Sequence, residues 1–239
     1  MDAAKICDIG GRTENQDYAA IYTQNQTGCF IVADGLGGHG GGELASEAAA
    51  LAVLRHFHSQ PSCTKDCLAH CFAAAHQAVL QKASETAFSG MRTTLAVLLI
   101  EQDTAIWGHI GDSRIYYFHN NTLTQVTADH SVAYLAYLNG EIKYQDIRHS
   151  PDQNRLIRSI GAGKECKPAL GEAVSLTPGD TFLLCSDGFW ELLSEKEMLS
   201  SLKKSSTASR WLAKMLRIAN EKRKRIPDHD NFSAITIWI

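Results

Sequence analysis

The chain has no apolar run approaching the ~18 residues that a membrane-spanning helix needs. Its opening residues, Met1-Asp2-Ala3-Ala4-Lys5, carry no apolar segment of the kind that precedes a secretory cleavage site. Net charge is also small. With 23 Lys and Arg against 26 Asp and Glu, the formal charge of −3 makes no electrostatic case for nucleic acid or an anionic membrane. The one basic cluster, Lys222-Arg223-Lys224-Arg225, closes a predicted helix, where cations suit the dipole and the solvent. There is no C-x2-C pair, and seven cysteines without regular pairing argue against a secreted disulfide framework and for a reducing compartment. No internal repeat or low-complexity linker is visible. These absences lead to the expectation of a single domain over residues 1–239, cytoplasmic, with no nucleic-acid or membrane partner. An effector exported without a cleavable signal would share them.

What is present centres on Cys29–Ala45. An apolar run ends abruptly in Asp34, and Gly35–Gly42 follows, all glycine but for Leu36 and His39. Glycine lets the backbone come close to an ion or a phosphate. The delivery of a carboxylate at a strand end recurs: Ile106–Gly111 leads to Asp112, Thr181–Ser186 leads to Asp187, and Asp230-Asn231 precedes the apolar tail Phe232–Ile239. Carboxylates gathered at one sheet edge repel one another unless a cation sits between them, which points to hard divalent metals with oxygen ligands.

Taken in order, residues 4–11 and 18–24 read as strands flanking the polar loop Arg12–Asp17. Glu43–Phe57 has helical spacing, and Thr64 caps a second helix to about Thr86. Four closely spaced strands follow at 92–102, 104–111, 114–119 and 123–127, and their short connections predict antiparallel neighbours. The polar stretch 130–162 opens with a helical segment at 132–138 and reads as a mobile flap. Strands at 172–176 and 180–186, helices at 190–193, 196–202 and 208–222, and a closing strand at 232–239 complete the chain. Paired helices between blocks of antiparallel strands predict an α+β fold, a central β-sandwich of two antiparallel sheets with pairs of helices outside.

Several motifs point elsewhere. Gly35–Gly40 satisfies G-x-G-x-x-G, but Asp34 would repel a pyrophosphate and the first helix leads into a second helix instead of a strand. Cys7 and Arg12 stand one residue short of a Cys-x5-Arg phosphate loop, and His229-Asp230 has no upstream histidine cluster on helices. Cys63, Cys67 and Cys71, with His70 and His76 nearby, admit a soft-metal site; their helical spacing without a C-x2-C pair reads instead as a core stripe.

Taken together, Arg12-x-x-Asn-Gln-Asp17, Asp34-Gly-Leu-Gly-Gly-His-Gly, Gly90-Met-Arg-Thr-Thr94, Gly108-His-Ile-Gly-Asp-Ser-Arg114, Leu184-Cys-Ser-Asp-Gly188 and Asp230-Asn231 resemble the metal-dependent, type 2C Ser/Thr protein phosphatases, and most of all their short bacterial members. The resemblance implies hydrolysis of phosphoserine and phosphothreonine in proteins at two Mg²⁺ or Mn²⁺ ions, by a metal-bridging hydroxide that attacks phosphorus in line with the leaving alkoxide. By motif position, Asp34 would bridge the ions, the Gly35 carbonyl would bind one, and Asp187 with Asp230 would bind the other. Asp17 would hold metal-bound water, with Gln16 and Asn231 orienting groups around it. Asp112, with Asp187, resembles the pair that holds a third, weaker ion. Arg12 would grip the substrate phosphate.

The chain departs from the family pattern in three places. Many relatives carry Glu where Gln16 stands. Leu36 occupies the position of a histidine in eukaryotic members, leaving His39 or metal-bound water to protonate the leaving group. Ser233 replaces a threonine. The implied partners are phosphorylated Ser/Thr proteins and a cognate kinase system, with the chain a monomer. The alternative is a catalytically silent relative that binds phosphoproteins.

Overall fold

The computed structural model describes residues 1–36 and 40–239. Among these, eleven strands form two antiparallel sheets. The first runs β1 (Asp2–Asp8), β11 (Phe232–Trp238), β10 (Thr181–Cys185), β6 (Arg114–His119) and β7 (Thr122–Val126). The second runs β2 (Asp17–Gln24), β3 (Thr27–Asp34), β4 (Leu95–Glu101), β5 (Thr104–Ile110) and β8 (Ala169–Leu170), with β9 (Val174–Ser175) also on β5. Helices α1 (Gly42–Ser59) and α2 (Lys65–Glu85) cover the second sheet. The short α4 (Asp187–Trp190), with α5 (Glu195–Lys203) and α6 (Ala208–Arg223), covers the first.

Side-chain alternation builds these layers. In β4, Leu95, Val97 and Leu99 face α1 and α2, while Ala96, Leu98 and Ile100 face the other sheet. In β10, Leu183 and Cys185 pack outward on the second helix layer, while Phe182 and Leu184 fill the space between the sheets. Both faces of such strands are buried, which is why Leu95–Ile100 is apolar throughout without alternation. This is the α+β sandwich with paired outer helices that the order of elements predicted.

Three details differ from the expectation. The strands between 92 and 127 are not one meander. β4 pairs with β5 and β6 with β7, but the chain crosses from one sheet to the other at Gly111-Asp112-Ser113. Gly111 turns this corner with φ +99°, a conformation that a side chain resists. The strand expected at 172–176 shrinks to Val174–Ser175, and β8 precedes it. The helix expected to start at Trp190 instead opens at Asp187, because Ser186 and Asp187 leave the strand and enter the turn directly.

The segment 130–162 contains α3 (Val132–Leu138) and a 3-10 turn (Tyr144–His149). It is tied back at its end, where Ile160 and Thr93 exchange backbone hydrogen bonds of 2.8 and 3.2 Å. Arg148 anchors its middle by donating to the Trp190 and Leu193 carbonyls at 3.0 and 2.8 Å and to Glu195. Among the described residues no helix is long and apolar enough to cross a membrane.

Candidate active site

The ends of strands from both sheets meet in one cleft of about 650 Å³. Asp34, Gly35, Asp112, Asp187 and Asp230 line it, with Arg12, Gln16 and Asn231. Asp17 is buried just behind, directly opposite Asp34 in the β2–β3 register. Residues far apart in sequence are thus brought together, as the strand-end carboxylates predicted. His39 lies outside the described residues, with Gly37 and Gly38.

Neighbouring groups fix the segments that carry these carboxylates. The Asp34 backbone is clamped by two threonines: Thr94 Oγ1 accepts from its N–H at 2.9 Å and Thr93 Oγ1 donates to its carbonyl at 2.8 Å. Thr94 in turn meets Ser113 at 2.7 Å, which links Asp34 to the corner carrying Asp112. Ser186 Oγ donates to Asp17 Oδ2 at 2.7 Å. The Asp187 carboxylate accepts from the Gly188 N–H at 2.6 Å. Gly188 must be glycine here, since a Cβ would stand 2.1 Å from the Asn231 carbonyl oxygen. Asn231 ties the loop before β2: its amide donates to the Ile9 and Glu14 carbonyls at 2.7 and 2.9 Å, and its Oδ1 accepts from Gln16 N–H at 2.8 Å. Arg12, half-exposed at the mouth, donates to Asp230 Oδ2 at 3.1 Å.

These carboxyls resist ionisation when no cation is present. Burial raises Asp34 far above the usual carboxylate range, and Asp187, Asp17 and Asp112 add repulsion. Burial likewise raises Asp112, reinforced by Asp187. Asp17 is pushed up to about 7, by burial more than the Ser186 hydrogen bond can offset, and Asp187 to about 6, by burial and Asp230. A bound cation reverses this preference by supplying the missing charge. The residues fit such an ion on two counts. Asp17 Oδ1 is buried without a hydrogen-bond partner among the described residues, and the described lining offers oxygen donors and no thiol.

The family model for protein phosphatase 2C matches residues 9–229. The chain belongs to the protein phosphatase 2C family. Its sequence is 35% identical over 205 residues to Protein phosphatase PhpP of Streptococcus pneumoniae, covering 83% of this chain and 82% of that one. Its fold matches that of the serine/threonine phosphatase Stp1 from Staphylococcus aureus, with a TM-score of 0.89 and 26% identity, covering 100% of this chain and 95% of the other. It also matches the catalytic domain of the serine threonine protein phosphatase PstP in complex with two manganese ions, with a TM-score of 0.79 and 27% identity over 98% of this chain and 96% of that domain.

In this member of the phosphatase 2C family the cleft has further walls that motif reading did not assign. Arg92, within the Gly90–Thr94 motif, adds a second guanidinium, and Asn154, Leu156 and Ser159 of the 130–162 segment close one side. Glu191, one turn after Asp187, is pushed up to about 8 by burial and by Asp187 and Asp230. Ser186 adjoins Asp187 and the two threonines belong to the Gly90–Thr94 motif, so the motifs contained them without giving them a role. Asn154 and Ser159 carried none, because only the path of the chain brings them to the cleft.

Proposed function

We propose that this chain is a metal-dependent protein serine/threonine phosphatase whose cleft holds two Mg²⁺ or Mn²⁺ ions, with a third, weaker one at Asp112 and Asp187. The observation that carries the reading is the convergence of Asp34, Asp112, Asp187 and Asp230 on one cleft with Arg12 at its mouth. The names of PhpP and Stp1 support phosphoproteins as substrates, and the manganese of PstP supports the choice of metal.

In this reading Asp34, the Gly35 carbonyl, Asp187 and Asp230 would hold the ions. Once bound, the ions make a water nucleophilic near neutral pH and screen the phosphoryl charge. Asp17, buried just behind the cleft and fixed on one oxygen by Ser186, would help hold water there. Arg12 exchanges part of its hold on Asp230 for phosphoryl oxygens, to which its planar fork is suited. Asn231 and Gln16 keep the Arg12 loop and Asp230 in register. His39 is the proposed donor to the departing serine or threonine oxygen. The 130–162 segment, which contributes Asn154 and Ser159 to the cleft wall, acts as the flap that shapes substrate choice. A kinase that phosphorylates the same proteins is the implied counterpart. We take the chain to act as a monomer in the cytoplasm, where its seven free cysteines stay reduced.

Phosphate release from a phosphothreonine peptide tests this. Turnover is expected with Mn²⁺, lost in EDTA, restored by added Mn²⁺ and lost in Asp34→Asn. Turnover that persists in EDTA or survives the substitution overturns the metal mechanism. Peptide binding without turnover favours the silent phosphoprotein binder.

A further inference from the structure

At the far end of α1 from the cleft, one residue of α1 and two of α2 point their ligand atoms at a common spot. His56 lies in the last turn of α1, Cys67 in the first turn of α2 and Cys71 one turn later. A ring nitrogen of His56 and the sulfurs of Cys67 and Cys71 all lie within 4.8 Å of one another. Cys63, just before the helix, and Cys67 and Cys71 on it all belong to the core cluster beneath α1 and α2, as the core reading of their spacing predicted. The histidine beside both sulfurs is not one of the two nearest them in sequence. His70 and His76 share a helix with the cysteines, whereas the imidazole that meets both sulfurs comes from the neighbouring helix.

We propose that His56, Cys67 and Cys71 form a binding site for one thiophilic cation, of the Zn²⁺ or Cu⁺ class, separate from the oxygen-lined cleft. Two sulfurs and an imidazole are the donor set that soft and borderline ions select and that Mg²⁺ and Mn²⁺ do not. Ligands sharing a Zn²⁺ at Zn–S and Zn–N distances of about 2.3 and 2.0 Å lie roughly 3.5–3.8 Å apart, so side-chain rotation of about an ångström completes the set. Cys63 is already committed, its thiol directed at the Leu99 and Thr104 carbonyls at 3.4 Å each. Gln60 offers a fourth, oxygen ligand, its carbonyl 3.8 Å from Cys67 Sγ.

Binding displaces the two thiol protons to solvent and takes His56 as neutral imidazole, with no change of oxidation state. His56 is partly exposed and supplies the way in, while Cys71 is fully buried. From Gly42 to His56 the helix rises about 21 Å, so the site staples α1 to α2 without touching the cleft.

Co²⁺ titration of the reduced full chain, kept reduced with a phosphine, tests the site. A thiolate-to-cobalt charge-transfer band is diagnostic, because the described cleft lining contains no thiol. The expected result is a band that saturates at one Co²⁺ per chain and is abolished by one equivalent of Zn²⁺. Cys67→Ser and Cys71→Ser should lose it, and His56→Ala should weaken cobalt affinity by at least about 10- to 100-fold, the loss seen even when outer partners of a metal ligand are removed. Cys63→Ser and Cys7→Ser should retain it. No band in the unaltered chain, or a band indifferent to His56→Ala, overturns the proposal. The histidine variant changes a partly exposed side chain and settles the question by itself if the buried serine variants do not fold.

Discussion

The Ser186 hydroxyl reaches across the sandwich to Asp17. Ser186 follows β10 of one sheet and Asp17 opens β2 of the other, and their 2.7 Å hydrogen bond joins the two sheets at the cleft floor. Ser186 Oγ also accepts the Ser233 N–H at 2.9 Å, so one hydroxyl locks three strand ends. Ser186→Ala removes the hydroxyl that donates to Asp17 Oδ2. The expected effect is a loss of kcat on a phosphothreonine peptide of roughly tenfold, with a stability loss of about 1–2 kcal/mol in urea unfolding. Equal kcat in the variant and the parent would show that Asp17 does not need this anchor.

Metal removal should be felt more at alkaline than at acid pH. Asp17 and Asp187 are raised to about 7 and about 6, above their unfolded values near 4. Groups raised in the folded state favour folding fully below the unfolded pKa, and that contribution is lost as pH rises through the folded pKa. The metal-free chain should therefore lose stability between about pH 4 and 7 from these groups. Mn²⁺ restores it by neutralising the ionised cluster, whereas at pH 5 protons compete for the same oxygens. The rise in Tm on adding Mn²⁺, measured by calorimetry, should be larger at pH 8 than at pH 5.

Arg12 should matter to substrate binding and little to folding. Its side chain is half-exposed and its partner Asp230 is also partly open to solvent, so the pair contributes within about 1 kcal/mol to stability. A charged hydrogen bond to phosphate is worth about 1.5–3 kcal/mol, so Arg12→Ala should lower kcat/KM by roughly 10- to 100-fold with Tm nearly unchanged. Arg12→Lys should recover only part of this, because a single ammonium cannot present two donors in a plane.

The opposite holds at Arg114. It donates to both oxygens of Asp129 at 2.8 and 2.6 Å, with both side chains buried, and its guanidinium lies 3.6 Å over the Trp190 ring. Trp190 in turn donates to the Asp112 carbonyl at 3.0 Å. Asp129→Ala takes both carboxylate hydrogen bonds from a buried cation, leaving it Glu195 at 3.8 Å, and should cost about 3–5 kcal/mol in denaturant unfolding. Arg114→Met combined with Asp129→Leu should recover most of that loss, which separates the cost of an orphaned charge from the worth of the pair.

What the sequence determined alone was what short-range physics writes into it. Apolar runs ending in Asp34, Asp112 and Asp187, and the apolar tail that follows Asp230, marked strands with carboxylates at their ends, because a strand buried on both faces must be apolar until it reaches solvent. Helices α1 and α2 were legible from spacing and from Thr64, whose side chain accepts from the Cys67 N–H. The tertiary structure decided what depends on how the layers stack. The β5–β6 corner looked like one more hairpin, yet it crosses between sheets, since a short connection can serve either and only the packing of Trp107 and Ile115 in the inter-sheet core selects the crossing. Arg92, Asn154 and Ser159 reach the cleft, and His56 meets Cys67 and Cys71, through contacts between elements distant in sequence. Spacing along one strand or helix carries no record of those neighbours.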